Sequence, residues 1–165
     1  MSEKKPGKAG KRALAGIVMG LLGKGIRYGY KCDDRIRADL DGIGDEFTIK
    51  LMVNPVGPAM LFGKKDGVVF SHKCEIDAVA DITLAFKGID GAFKMFTGQM
   101  GLSAGYAQHR FTVKGDLYKV LSIVRIMNIV EAYLFPKMLA KTLMNPVPKR
   151  QVNMLRFYGG TLFSK

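Results

Sequence analysis

Tryptophan is absent, cysteine and histidine occur twice each, and 14 acidic residues face 26 lysines and arginines. Each shortage closes a route. Cys32 and Cys74 cannot build a disulfide framework, and neither sits in a C-x-x-C pair. With only His72 and His109 beside them, no spacing matches a structural zinc site, so no metal and no cofactor are expected. That cysteine usage fits a reducing, intracellular setting. Long apolar runs are missing too. The uncharged stretch Ala13–Gly23 is far shorter than the roughly 20 residues of a bilayer span. Basic residues precede it as in a signal peptide, but no small-x-small cleavage site follows; Lys24, Arg27, Tyr28 and Lys31 come next. The expectation is a cytoplasmic protein, peripherally attached to membranes at most. Nor does Gly20–Gly25 make a phosphate loop, because Val18 stands at the required first glycine and Gly25 at the magnesium-binding Ser/Thr.

What is present is one domain's worth of chain. It has 165 residues, 48% hydrophobic and 24% charged, near globular averages and far from disorder. The net charge of +12 suggests an anionic partner. Its distribution is uneven. Residues 1–37 hold ten basic and three acidic residues, 38–135 ten and eleven, and 136–165 six and none. A near-neutral domain therefore lies between two basic flanks, which are commonly solvated tails. The expected organisation is a disordered basic arm at 1–12, an N-terminal helix at 13–37, the domain proper at 38–135 and a basic extension at 136–165. Within the helix, Gly16/Gly20 and Gly25/Gly29 have the G-x-x-x-G spacing that permits close helix approach. That helix either packs on the domain or lies at a membrane surface. Ten methionines and ten phenylalanines suit an adaptable apolar interior, and equally an ordinary core.

From Glu46 the period changes to two. Phe47, Ile49, Leu51 and Val53 share a face opposite Thr48 and Lys50, which predicts a half-buried strand. Further strands are predicted at 59–63, at 68–73 across a Lys64–Gly67 hairpin turn, at Ala80–Phe86 and at Phe111–Lys114. Ile89, Phe93 and Phe96 give a short helix an apolar face, and Met100, Leu102 and Tyr106 suggest a second short helix or turn. Asp116 is placed to cap the longest helix, Leu117–Phe135. Its polar residues Lys119, Ser122, Arg125, Asn128 and Glu131 recur every three positions, so the polar line creeps around the helix. Such a helix is either buried on most sides or covers a cavity. The stretch Asn145–Arg150 reads as a linker, with a short final helix over Val152–Phe157.

The stretch Ala80–Asp116 resembles the sterol carrier protein type-two family, the sterol-binding lipid-transfer domain. Ala80-Asp81-Ile82-Thr83-Leu84 is similar to its fourth-strand motif. Phe93 and Thr97-Gly98 match the following helix and its end, and the spacing on to Lys114-Gly115-Asp116 agrees without a gap. Leu102 stands where proline is frequent, His109 where glycine is, and Gly105 replaces an alanine. Element order extends the resemblance to about 40–125; both basic flanks fall outside it.

The resemblance implies an α+β fold: a five-stranded, mostly antiparallel sheet with helices packed on one face, enclosing an apolar tunnel. It implies a non-enzymatic protein whose partner is an apolar lipid, such as a sterol, fatty acid or acyl-CoA. The candidate lining is Phe86, Phe93, Phe96, Met100, Leu102, Tyr106, Phe111, Leu121, Val124 and Met127, with Gln108 near the mouth. A packed core uses the same residue types, and sequence does not separate the two. The basic flanks would touch an anionic membrane. No catalytic constellation is visible: His72 and His109 lie apart from any nucleophile motif, and Asp116 is explained as a cap. The chain ends Phe163-Ser164-Lys165, not Ser-Lys-Leu, so peroxisomal import is not expected. An alternative is a scaffold presenting lipid or isoprenoid-quinone intermediates to biosynthetic enzymes. Nucleic-acid binding through the basic ends is a third reading. Against it, the central domain offers no basic groove and no aromatic–basic motif. Oligomeric state is not legible.

Overall fold

The alternation at Phe47, Ile49, Leu51 and Val53 becomes strand β1 (Phe47–Val53), with all four side chains buried. The computed structural model, which describes residues 7–96, 100–134 and 149–163, sets β1 at the centre of a five-stranded sheet. Strands β2 (Ala59–Lys65) and β3 (Val68–Lys73) form an antiparallel hairpin beside it. Asp66 and Gly67 both take positive φ, 51° and 74°, the geometry of a two-residue hairpin turn whose twist matches the strands. On the other side β4 (Ile82–Phe86) runs parallel to β1, and β5 (Phe111–Lys114) closes the edge antiparallel to β4. The order is β3-β2-β1-β4-β5, mostly antiparallel as expected.

Register places Ile49, Phe62, Ile82, Leu51, Met60 and Leu84 on one face, all buried. Lys50 points the other way and is also buried; its Nζ donates to the carbonyls of Ile76 and Ala78 at 2.7 and 2.6 Å. That bond straps the chain after β3 across the reverse face. Asp81 accepts from the Thr48 amide and hydroxyl at 2.7 and 2.8 Å, while its own amide donates to Thr48 Oγ1 at 3.0 Å. The Ala-Asp motif thus pins the start of β4 to β1.

Helices cover the apolar face. Helix α1 (Lys8–Cys32) starts inside the predicted arm, and its buried Ala15, Met19, Leu22 and Ile26 repeat at helical spacing. The expected single helix over 13–37 is two. Asp33 is extended (φ −125°, ψ 115°) and caps α2 (Asp34–Ile43) through a bond from the Arg35 amide. Shorter helices α3 (Ile89–Phe96) and α4 (Leu102–Ala107) follow β4. Asp116 Oδ1 accepts from the Tyr118 amide at 2.8 Å and starts α5 (Leu117–Leu134). Along α5 the polar line turns from half-buried Lys119 through exposed Arg125, paired with Asp39 of α2 at 2.6 Å, to buried Glu131. Helix α6 (Met154–Phe163) packs on α1 and α5 through Phe157. The expected linker at 145–148 and the helix end at Thr97-Gly98 lie outside the described residues.

Candidate functional site

A cavity of about 850 Å³ lies between α1, the β1–β2 loop, the ends of β2 and β3, and the segment that follows β3. Its glycines explain how room is left. A Cβ on Gly20 would meet nothing within 4 Å, and one on Gly16 only Pro58 Cβ at 3.6 Å. The second glycine pair behaves differently: a Cβ on Gly25 would sit 2.7 Å from Val130 Cγ1 of α5. One G-x-x-x-G spacing therefore serves the cavity and the other serves helix packing. Buried Met19, Ala59 and Met60 contribute apolar surface, and exposed Ile17 and Val56 stand at the edge. The polar lining is basic: Arg12, Lys24, Arg27 and Lys73 against a single acid, Glu75. His72 also borders the cavity and stacks on Phe70. Cys74 borders it half-buried, and burial pushes its thiol above the ordinary value, which makes it a poor nucleophile.

None of the nine expected residues whose side chains are described borders this cavity. Phe86, Phe111 and Met127 are buried in the core. The rings of Phe86 and Phe111 are 5.5 Å apart, and Tyr106 stands 5.7 Å from Phe111. Phe93, Met100 and Val124 are half-buried, with Lys11 Nζ 5.8 Å from the Phe93 ring. Tyr106 and Leu121 are exposed, 55% and 52%. Gln108 is exposed and accepts from Arg110 Nε at 3.4 Å. The side chains of Phe96 and Leu102 lie outside the described residues. Sequence reasoning missed Arg12, Gly16, Gly20, Lys24 and Arg27. The signal for the first four was a basic–Gly–Gly–basic ladder at four-residue steps, with Arg27 one short turn further on.

Among the described residues no three His, Cys, Asp or Glu side chains group as for a metal ion, and no helix is long and apolar enough to cross a membrane. His109 takes positive φ, 52°, in the turn before β5. That strain belongs to the turn where the family resemblance places glycine.

This sheet order and helical cover define a sterol-carrier-type α+β fold. Its likeness is seen in sterol carrier protein 2 from Yarrowia lipolytica, 17% identical, with a TM-score of 0.50 over 78% of this chain and 96% of that one. The ubiquinone synthesis protein UbiJ-SCP2 is 14% identical, with a TM-score of 0.49 over 69% and 95% of the two chains. A double mutant of the sec-alkyl sulfatase PisA1 is 14% identical at a TM-score of 0.40; 53% of this chain is covered but only 14% of the sulfatase. No protein-family model and no curated protein matches the sequence.

Proposed function

We propose that this protein binds, and carries between membranes, a lipid held in an apolar tunnel between the sheet and its helices. The observation that carries the reading is the sterol-carrier arrangement itself, a five-stranded sheet with one apolar face roofed by helices. The lining would come from Phe86, Phe93, Met100, Phe111, Val124 and Met127, with Tyr106, Leu121 and Gln108 towards its ends. Such a site needs no catalytic group. Each buried methylene contributes about 0.8 kcal/mol, so a long acyl chain supplies on the order of 10 kcal/mol. Basic flanks would hold the protein at anionic membranes. Native mass spectrometry of the purified full chain should show a co-purified lipid, and Val124→Phe should reduce its occupancy. A protein that carries no lipid and takes none up overturns the reading.

A scaffold role has one observation in its favour. Leu117 and Tyr118 at the start of α5, and Leu155, Leu162 and Phe163 on α6, are exposed by 53–87%, apolar side chains available to a protein partner. Co-purification of a biosynthetic assembly that Phe163→Asp disrupts would favour this role over free transfer.

A further inference from the structure

We infer that the cavity beside α1 is a second site, separate from the proposed tunnel, for a single-chain lipid anion of the fatty-acid class. Three observations converge on that occupant. About 850 Å³ falls within the 300–1,000 Å³ typical of small-molecule sites. The cavity is also elongated: Arg12 and Arg27, fifteen residues apart on one helix, stand roughly 22 Å apart along its axis. Between them Gly16 and Gly20 leave a strip of bare backbone, flanked by Met19 and Met60, over which a methylene chain can lie.

The charge supplies the other half. Several basic side chains on and around α1 have acidic partners: Lys11 pairs with Asp90, Arg35 with Asp33, Arg37 with Asp34, and Lys64 with Asp41. None of Arg12, Lys24, Arg27 or Lys73, the four cations at the cavity, forms a salt bridge among the described residues. Lys24 and Arg27 lie one helical turn apart beyond the glycine strip, so a carboxylate at that end meets two cations while its chain runs towards Gly16. Glu75 opposes a second acid in the cavity, which favours one headgroup over several. A neutral sterol or alcohol would leave the cations unused.

Three full-length, delipidated proteins, each also carrying Val124→Phe to close the proposed tunnel, test this by calorimetric titration with oleate and with oleyl alcohol at neutral pH: one wild type at the cavity, the Lys24→Glu/Arg27→Glu double variant, and Gly20→Leu. The leucine enters open space and raises helix propensity, so that variant keeps its fold; unchanged thermal melting checks it. The first should bind oleate at least tenfold more tightly than the alcohol. The charge reversal should weaken oleate at least tenfold and move the alcohol less than twofold, and Gly20→Leu should weaken both at least tenfold. A folded Gly20→Leu protein that binds oleate within twofold of the first overturns the inference, as does equal affinity for acid and alcohol. If Val124→Phe alone, in that event, removes the co-purified lipid, the tunnel reading stands while this one falls. Binding of phosphatidylserine vesicles with no uptake of monomeric oleate also overturns it, in favour of a surface contact.

Discussion

Asp33 ends α1 and begins α2 with a carboxylate that has no exposure to solvent. Burial alone would raise its pKa, but bonds from Arg35 at 2.7 Å and Tyr133 Oη at 2.8 Å outweigh that and hold it below the ordinary value. Tyr133 in turn accepts from the Gln151 amide at 2.8 Å, so one hydroxyl joins α2, α5 and the segment before α6. Tyr133→Phe leaves a buried carboxylate and a backbone amide each short of a partner. The expected cost is about 1–3 kcal/mol, read as a lower urea midpoint. Because the folded pKa is depressed, Asp33's contribution is complete above its unfolded value near 3.9 and drains as pH falls through the folded one. Acid titration of Asp33→Asn should therefore lose part of the destabilisation that wild type shows below about pH 4. Glu131 works in the opposite sense. Burial pushes its carboxyl from 4.5 to about 8, with no compensating partner among the described residues. Its penalty is absent below the unfolded value, grows by about 1.4 kcal/mol per pH unit above it, and levels off near pH 8. Glu131→Gln should match wild-type stability at pH 4 and exceed it at pH 8 by a few kcal/mol in urea unfolding; equal stability at both would contradict the buried, unpaired reading.

Within α1 the two glycine pairs make opposite predictions for the same substitution. Gly25→Ala drives a methyl into Val130 at 2.7 Å, and overpacking of this kind costs about 1–3 kcal/mol. Gly20→Ala meets no atom within 4 Å and should gain up to about 1 kcal/mol of helix propensity. Thermal melts of the pair should move in opposite directions. This contrast also marks the limit of what the chain discloses. The strands were readable because period two at Phe47–Val53 and the Asp66-Gly67 turn are local signals, and Asp116 announced its helix in the same way. The break at Asp33 was local too, an N-cap overlooked inside a run that reads as helix. For α5 the three-residue drift was visible, but which of its polar residues would end up buried depends on neighbours far along the chain. The cavity was legible on one side only. It is bounded by residues 12–27, 56–60 and 71–76; the four-residue ladder of Arg12, Gly16, Gly20 and Lys24 marks its α1 wall, while nothing local shows which distant elements face that wall.

On the scale of the whole molecule, the uneven charge first suggests a neutral domain with two detachable basic ends. Packing argues otherwise. From the N-terminal flank Met19, Leu22 and Ile26 are at most 2% exposed, and from the C-terminal flank Phe157 is fully buried. Phe157 stacks on Tyr133 at 4.1 Å between centroids and meets Tyr28 edge-on at 5.5 Å, so the two flanks touch each other through one ring. Arg150 reinforces the join by donating to the Ala132 carbonyl at 2.8 Å. Burial of the three large α1 side chains alone contributes roughly 5–9 kcal/mol as an upper estimate, comparable with the 5–15 kcal/mol that holds a typical domain together. A fragment lacking residues 1–32 should therefore show no cooperative thermal transition by circular dichroism. Removing 149–165 should lower the melting temperature and raise the exposure of Tyr133, followed by its fluorescence. A cooperative melt from residues 33–148 alone would show instead that the flanks are appendages. If they are not, the basic surface is held rigidly to the core, and Lys24 and Arg27 keep fixed positions beside the cavity. Placement of that kind suits recognition of one headgroup, which a tethered tail would meet only by diffusion and at a larger cost in conformational entropy.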